Sequence, residues 1–220
     1  MPIPFLDDDH PFEFPHPETA LQEPDGLLCA GANLLPDTIL AAYRQGIFPW
    51  YNPEEPILWW SPSTRCVLQP SNIHINRSTR KAINKDNFEI RTNTCFEQVV
   101  RACAAPRAGA TGTWISEEMV EAYCELHRLG HAHSIEYWLD DALRGGLYGL
   151  GIGDCFCGES MFSLSSNASK LALIHLCTES TYKLIDCQME TAYFLGMGAE
   201  LIPRRVFLSQ LASLQRGDPA

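Results

Sequence analysis

The apolar and polar positions of the chain change period several times, and most changes mark an element boundary. PDTILAAYR (36–44) reads as a helix opened by Pro36 and stopped by Gly46. TRCVLQ, from Thr64, alternates as a strand does. The next helix is expected to be capped by Asn76 and to run to about Lys85, and FEIRTN follows as a strand. Thr94 and Glu97 form a T-x-x-E capping box ahead of FEQVVRACA, and APRAGATG (105–112) is a small-residue loop. Ser116 caps and Gly130 ends a further helix. HSIEYWLD, a turn at Asp140–Asp141, the glycine-rich ALRGGLYGLGIG, a turn at Gly153–Asp154 and CFCGESMF then predict a three-strand antiparallel meander. Asn167 is expected to cap a long helix to about Tyr182, LIDCQ is another strand, and Pro203 opens the last helix.

Before Thr64 the texture differs. Residues 1–35 are rich in proline and acid and predict an irregular, docked arm. IFPWYNPEEPILWWSP holds three tryptophans and four prolines, which suits neither a helix interior nor a central strand. The expected class is therefore α+β, with a small N-terminal domain over 1–63 and a main domain over 64–220.

At 220 residues the chain makes one large domain or two small ones. No apolar run is long enough to span a bilayer, and the N-terminus lacks the basic and apolar regions of a secretory signal, so no membrane partner and a cytoplasmic location are expected. Nine scattered cysteines with no C-x-x-C suggest reduced thiols. The net charge of −11 is uneven: no Lys or Arg precedes Arg44, whereas Arg77, Arg80, Lys81, Lys85 and Arg91 fall within fifteen residues. That cluster is either a solvated helix face or a local site for a polyanion such as RNA. The acidic remainder suits a cationic second substrate.

Two carboxylates stand out because each interrupts an apolar run: Glu159 in CFCGESMF and Asp186 in LIDCQ. A buried carboxylate has to be paired or hydrogen-bonded, so such a residue belongs to a structural network or to an active site. Strand alternation puts Asp186 and Gln188 on one face and Cys187 on the other. On the proline-stiffened loop, Trp50 is the tryptophan placed to stack on a ligand, while Trp59 and Trp60 are expected to seal a small core. The glycines at 145, 146, 149, 151 and 153 match neither phosphate-binding loop pattern; they bare one strand face, against which a ligand backbone has room to lie. His131, His133, Cys155 and Cys157 are zinc-type ligands without zinc-type spacing, so no metal is expected, and a Cys/His protease rests on composition alone.

CFCGESMFS, NASK, KLIDCQ, IFPWY, ILWWSP, GTWI, LGHAHSIE and IPRR occur in an arrangement that resembles the leucyl/phenylalanyl-tRNA–protein transferases from about residue 18 to 210. The resemblance implies a main domain of the GNAT-like N-acyltransferase fold and a smaller N-terminal domain that helps to form the donor site. It implies transfer of Leu or Phe, and also Met, from aminoacyl-tRNA to proteins with N-terminal Arg or Lys, marking them for N-degron degradation, by a monomer without cofactor. Matched by motif, Trp50 and Trp114 flank the donor's terminal adenosine. Leu147, Phe156, Met161 and Ile185 line the pocket for its side chain. Glu159, Asp186 and Gln188 form the polar catalytic set, and Arg77, Arg80, Lys81 and Lys85 bind tRNA. This chain departs in having Leu147 where the family's strand carries Met, a swap that keeps volume, and Tyr193 where a His is common.

In the expected mechanism Gln188 orients the attacking amine, Asp186 draws its proton away, and Glu159 holds the donor's adenosine end or amino group. The alternative on the same fold is an acetyl-CoA-dependent N-acetyltransferase, which needs an amide-rich pyrophosphate loop that is not found. A third class, a non-catalytic RNA-binding module, has no use for two buried carboxylates.

Overall fold

The computed structural model describes residues 3–7, 12–84, 87–106 and 115–215. The chain opens with β1 (Phe5–Leu6), β2 (Leu27–Gly31), α1 (Pro36–Arg44), β3 (Phe48–Pro49) and β4 (Leu58–Trp60). These strands make a small sheet in the order β1-β2-β4-β3. The following elements are β5 (Thr64–Leu68), α2 (Arg77–Ile83), β6 (Phe88–Thr92), α3 (Phe96–Ala104) and α4 (Glu117–Arg128). Then come β7 (Ala132–Leu139), β8 (Ala142–Ile152), β9 (Cys155–Ser163), α5 (Ala168–Glu179) and β10 (Leu184–Gln188). The series closes with α6 (Ala192–Gly196), β11 (Glu200–Pro203) and α7 (Arg204–Leu214). The large sheet runs β11-β5-β10-β9-β8-β7-β6, antiparallel at every step except the parallel pair β10–β9.

The class is α+β and the meander over β7, β8 and β9 forms as alternation predicts, with Asp140 and Asp141 both at positive φ in its first turn. α5 covers one face of the large sheet and α3 and α4 the other. One apolar core runs from Leu28, Tyr43 and Trp59 through Val67 and Tyr148 to Phe207, so the small sheet and the large sheet are welded by shared side chains.

Several local expectations fail for identifiable reasons. The arm over residues 1–35 holds β1 and β2, because Leu28, Cys29 and Ala30 are buried and their backbone must be paired. IFPWYNPEEPILWWSP supplies an inner strand, since Pro56 and Pro62 fall outside Leu58–Trp60. The Thr94–Glu97 box does not form. Glu136 of β7, fully buried, accepts the Thr94 and Cys95 N–H groups at 2.8 and 2.9 Å and the Thr94 hydroxyl as well, while Glu97 pairs with Arg101. Asn167 sits at φ 66° and does not cap α5, which ends at Glu179.

The bare glycine face of β8 is covered by the protein itself. A Cβ at Gly149 would strike the Cys157 carbonyl and lie 2.7 Å from the Phe156 ring, and one at Gly151 would lie 2.6 Å from the Tyr182 hydroxyl. The space imagined for a ligand is filled by Phe156 and Tyr182. Gly149→Ala is therefore expected to cost about 1–3 kcal/mol through overpacking against backbone. Urea unfolding measures this, and an unchanged midpoint would contradict the packing described.

Candidate active site

β10 pairs with β9 only over Leu184↔Cys155, Ile185↔Phe156 and Asp186↔Cys157. Beyond Asp186 the two strands part, and each carries a bulge at the fork. On β9 the register passes from Gly149↔Gly158 to Tyr148↔Ser160, which leaves Glu159 as the extra residue. On β10 it passes from Asp186↔Val67 to Gln188↔Cys66, which leaves Cys187 as the extra residue. A bulge breaks the alternation of faces. It is why Phe156 and Met161, an odd number of residues apart, line the same cavity.

That cavity, of about 430 Å³, is lined by Leu147, Phe156, Met161, Leu173, Leu176 and Ile185, and its polar wall holds Glu159, Asp186 and Gln188. An open cleft of about 840 Å³ adjoins it and shares Glu159, Met161 and Gln188, with Phe48 and Trp50 on its far side. Trp50 is 40% exposed. Its indole is tilted against Trp60 at 5.5 Å, and the Trp60 indole N–H donates to the Trp50 carbonyl at 2.6 Å. Trp60, partly buried against the shared core, thus also braces Trp50, and Trp59 is fully buried. Trp114 and Lys85 lie outside the described residues. Arg77, Arg80 and Lys81 are exposed on α2 and none of them lines either cavity.

The Asp186 carboxylate does not offer the free base expected of it. Arg65 of β5 donates to it through Nε at 2.8 Å and Nη2 at 2.7 Å, with both side chains buried. Its Oδ1 also accepts the Gln188 backbone N–H at 2.9 Å. The remaining guanidinium nitrogen Nη1 donates to the Gly46 carbonyl, and the guanidinium carbon lies over the rings of Phe48 at 4.8 Å and Phe207 at 4.5 Å. A carboxylate paired in this way is committed to the Arg65 guanidinium and the Gln188 backbone. It holds Gln188 at φ 60°, a left-handed conformation that few non-glycine residues adopt unaided.

Glu159 is likewise engaged by protein. Tyr43 of α1 donates to Oε1 at 2.5 Å, Tyr123 of α4 to Oε2 at 2.8 Å, and the Gln188 side-chain nitrogen to Oε1 at 3.2 Å. The two tyrosine hydroxyls also touch each other at 2.9 Å. With Glu159 ionised, both tyrosine protons point at it and their mutual contact has none. One added proton completes the ring of three O···O contacts. Lost hydration raises the Glu159 carboxyl, the tyrosine hydrogen bonds and the Gln188 amide lower it, nearby Asp186 raises it further, and the balance is about 7. Burial, with the Glu159 charge beside them, holds the Tyr43 and Tyr123 phenols well above their ordinary range, so they stay donors. An ionised Glu159 can only accept, which fixes the Gln188 amide with nitrogen toward it and leaves the carbonyl oxygen for the cavity.

Arg65, Tyr43 and Tyr123 escaped the sequence reading. Arg65 carried one signal, a lone cation inside the alternating strand TRCVL, where burial demands an acid. The two tyrosines sit among ordinary apolar helix positions and carried none.

A family model described as leucyl/phenylalanyl-tRNA protein transferase matches residues 67–212, and one for the N-terminal domain of the same proteins matches 32–63. The leucyl/phenylalanyl-tRNA–protein transferase of Aeromonas hydrophila is 52% identical over 212 residues, covering 95% of this chain and 90% of that one. The protein of that name from Nitrosomonas europaea is 53% identical over 204 residues, covering 91% and 86%. Among solved structures, a GCN5-related N-acetyltransferase from Kribbella flavida superposes with a TM-score of 0.39 at 8% identity, over 74% of this chain and 59% of that one. The L-PGS structure from Bacillus licheniformis gives 0.40 at 7%, over 74% and 53%, so the chain spans little more than half of either solved structure.

Arg65→Met is expected to destabilise the protein by about 3–5 kcal/mol, the penalty for stranding a buried charge. The double variant Arg65→Met/Asp186→Leu should recover most of that in urea unfolding; a double variant as unstable as the single one would mean that the pair is not what is lost. For Glu159, the folded carboxyl holds its proton more tightly than the unfolded one, whose value is 4.5. Its contribution to stability is therefore complete below pH 4.5 and is lost as pH rises through about 7. Wild-type stability minus that of Glu159→Gln should fall across this window by on the order of 3 kcal/mol at most, at 1.36 kcal/mol per pH unit of displacement. Parallel stability–pH curves for the two proteins would refute the raised value.

Proposed function

The chain belongs to the leucyl/phenylalanyl-tRNA–protein transferase family and is an aminoacyltransferase, and on that premise we propose how its fork carries out the transfer and on what. The donor is a leucyl-, phenylalanyl- or methionyl-tRNA, and the acceptor is the α-amino group of a protein that begins with Arg or Lys, which the added residue marks for degradation. The observation that carries this reading is an apolar cavity that ends on the Glu159–Gln188 pair and opens beside the exposed Trp50 indole.

The side chain of the donor occupies the slot of Leu147, Phe156, Met161 and Ile185. Burial of a Leu-, Phe- or Met-sized group is worth roughly 1.5–3 kcal/mol, and a β-branched residue loses by shape. Trp50 receives the adenosine in the cleft, with Trp114 as its assigned partner. The tRNA body is held through its phosphates by the exposed Arg77, Arg80 and Lys81, with Lys85, rather than by base readout.

The ester is already activated, and an α-amine has a pKa of about 7.7–8.0, so a useful fraction is neutral near pH 7. The Gln188 carbonyl oxygen accepts a hydrogen bond from that amine and aims its lone pair at the ester carbonyl. The C–N bond forms and the ester C–O bond breaks. The amine's proton passes, through water, to the departing ribose oxygen. In this mechanism Glu159 sets which end of the Gln188 amide faces the amine, and Asp186, held by Arg65, sets where the Gln188 backbone stands. Both act by positioning, and neither takes the proton.

The test is transfer of labelled leucine from Leu-tRNA to a peptide beginning with Arg, set against the same peptide beginning with Ala. Only the Arg peptide should be labelled. Gln188→Ala should lower kcat about a hundredfold while leaving the Kd for tRNA unchanged. Equal labelling of both peptides would defeat the acceptor assignment, and full turnover in Gln188→Ala would defeat the mechanism.

A further inference from the structure

The mechanism uses Gln188 and Asp186 but not the residue between them. Cys187 is the extra residue of the β10 bulge, and it lines both the apolar cavity and the open cleft. Cys66 of β5 is the register partner of Gln188 across the same bulge, so both 187 and 188 stand opposite it. The side chain of Cys66 turns away from that of its neighbour Arg65. Arg65 stacks on Phe48 and Phe207 in one core, and Cys66 sits with Cys187 in the other. The Cys187 thiol lies against the Cys66 thiol and within 4.0 Å of the Ile185 carbonyl, and neither sulfur is in a disulfide.

We propose that Cys66 and Cys187 form a reversible disulfide with peroxide, a redox-modification site that shuts the fork beside Gln188. Cys66 is fully buried and Cys187 is 8% exposed, at the cavity, so the oxidant meets Cys187 first. The Cys187 sulfur displaces water from hydrogen peroxide and becomes a sulfenic acid. The Cys66 sulfur then attacks it, a second water leaves with the Cys66 proton, and the S–S bond forms. Two thiol hydrogens and two electrons have passed to one peroxide, giving two waters. The Cys155 and Cys157 thiols likewise lie against each other, but both are buried in the shared core and neither lines the cavities.

A disulfide draws its sulfurs to about 2.0 Å, well inside hydrogen-bond separation. It therefore pulls Cys187 off the wall of the slot toward β5 and refixes the bulge that sets Gln188. A shift on the order of 1 Å at a positioning group can lower a rate about a hundredfold. The loss of turnover rests on the proposed transfer reaction; the disulfide itself does not.

The experiment uses the full chain, reduced, desalted and exposed to hydrogen peroxide, then alkylated and digested with trypsin without reductant. Cleavage after Arg65 and Lys183 puts Cys66 in the peptide 66–77 and Cys187 in the peptide 184–204, each with a single cysteine. The expected result is a linked 66–77/184–204 pair, with turnover down at least tenfold and restored by dithiothreitol. Cys66→Ser should match the untreated wild-type rate and keep it under peroxide. No linked pair from folded protein, linkage without loss of turnover, or equal inactivation of Cys66→Ser would each overturn the proposal. Should untreated protein transfer nothing, the proposed function fails, and the linked peptide, read by mass alone, still decides this one.

Discussion

The buried pair of Arg65 and Asp186 is the constraint on which the rest of the site depends. Removing two full charges from water is costly, and attraction compensates only when geometry is good and further hydrogen bonds support the pair. Both conditions hold. The guanidinium meets both carboxylate oxygens, its spare nitrogen takes the Gly46 carbonyl, and two aromatic rings close over it. Through these contacts one cation on β5 ties together β10, the segment after α1 that holds Gly46 and β3, and α7. Gly46 joins this knot because, at φ 73°, a side chain there would also collide with Leu208 and Phe207 of α7.

From that fixed point the site is built by interruption of regular structure. A seven-stranded sheet with an unbroken ladder has no interior cavity. Here the ladder stops after three register pairs between β9 and β10, and each strand inserts one residue at the break. The inserted Glu159 is thereby turned to Tyr43 and Tyr123, while Phe156 and Met161 are brought to one wall. Tyr43 belongs to α1, so the small N-terminal region contributes to the polar network as well as the Trp50 surface.

Legibility in the sequence followed the range of the forces involved. Elements fixed by nearest neighbours were readable: α1 from Pro36 and Gly46, the meander from its two turns, α4 from Ser116 and Gly130. Elements fixed by distant partners were not. The Thr94–Glu97 box looked complete until Glu136, some forty residues on, displaced it. Strand β4 was hidden by its flanking prolines, and β1 and β2 by the acidic tract around them. At the fork, Asp186 and Glu159 were recognisable as misplaced carboxylates, but what each does there was not. Their partners come from distant elements, Arg65 of β5 for Asp186 and Tyr43 and Tyr123 of α1 and α4 for Glu159. A bulge leaves no mark in a residue pattern, because its cause is the partner strand.

The short parallel pairing of β9 with β10 also bears on motion. It is the narrow joint between a three-strand leaf, β11-β5-β10, and a four-strand leaf, β9-β8-β7-β6. Amide protons at the open end of this joint have few cross-strand bonds to break before meeting water, so exchange there is expected to proceed by local parting rather than by global unfolding. On the transfer proposed above, such parting would admit or release a bulky aminoacyl end while the leaves on either side keep their hydrogen bonds.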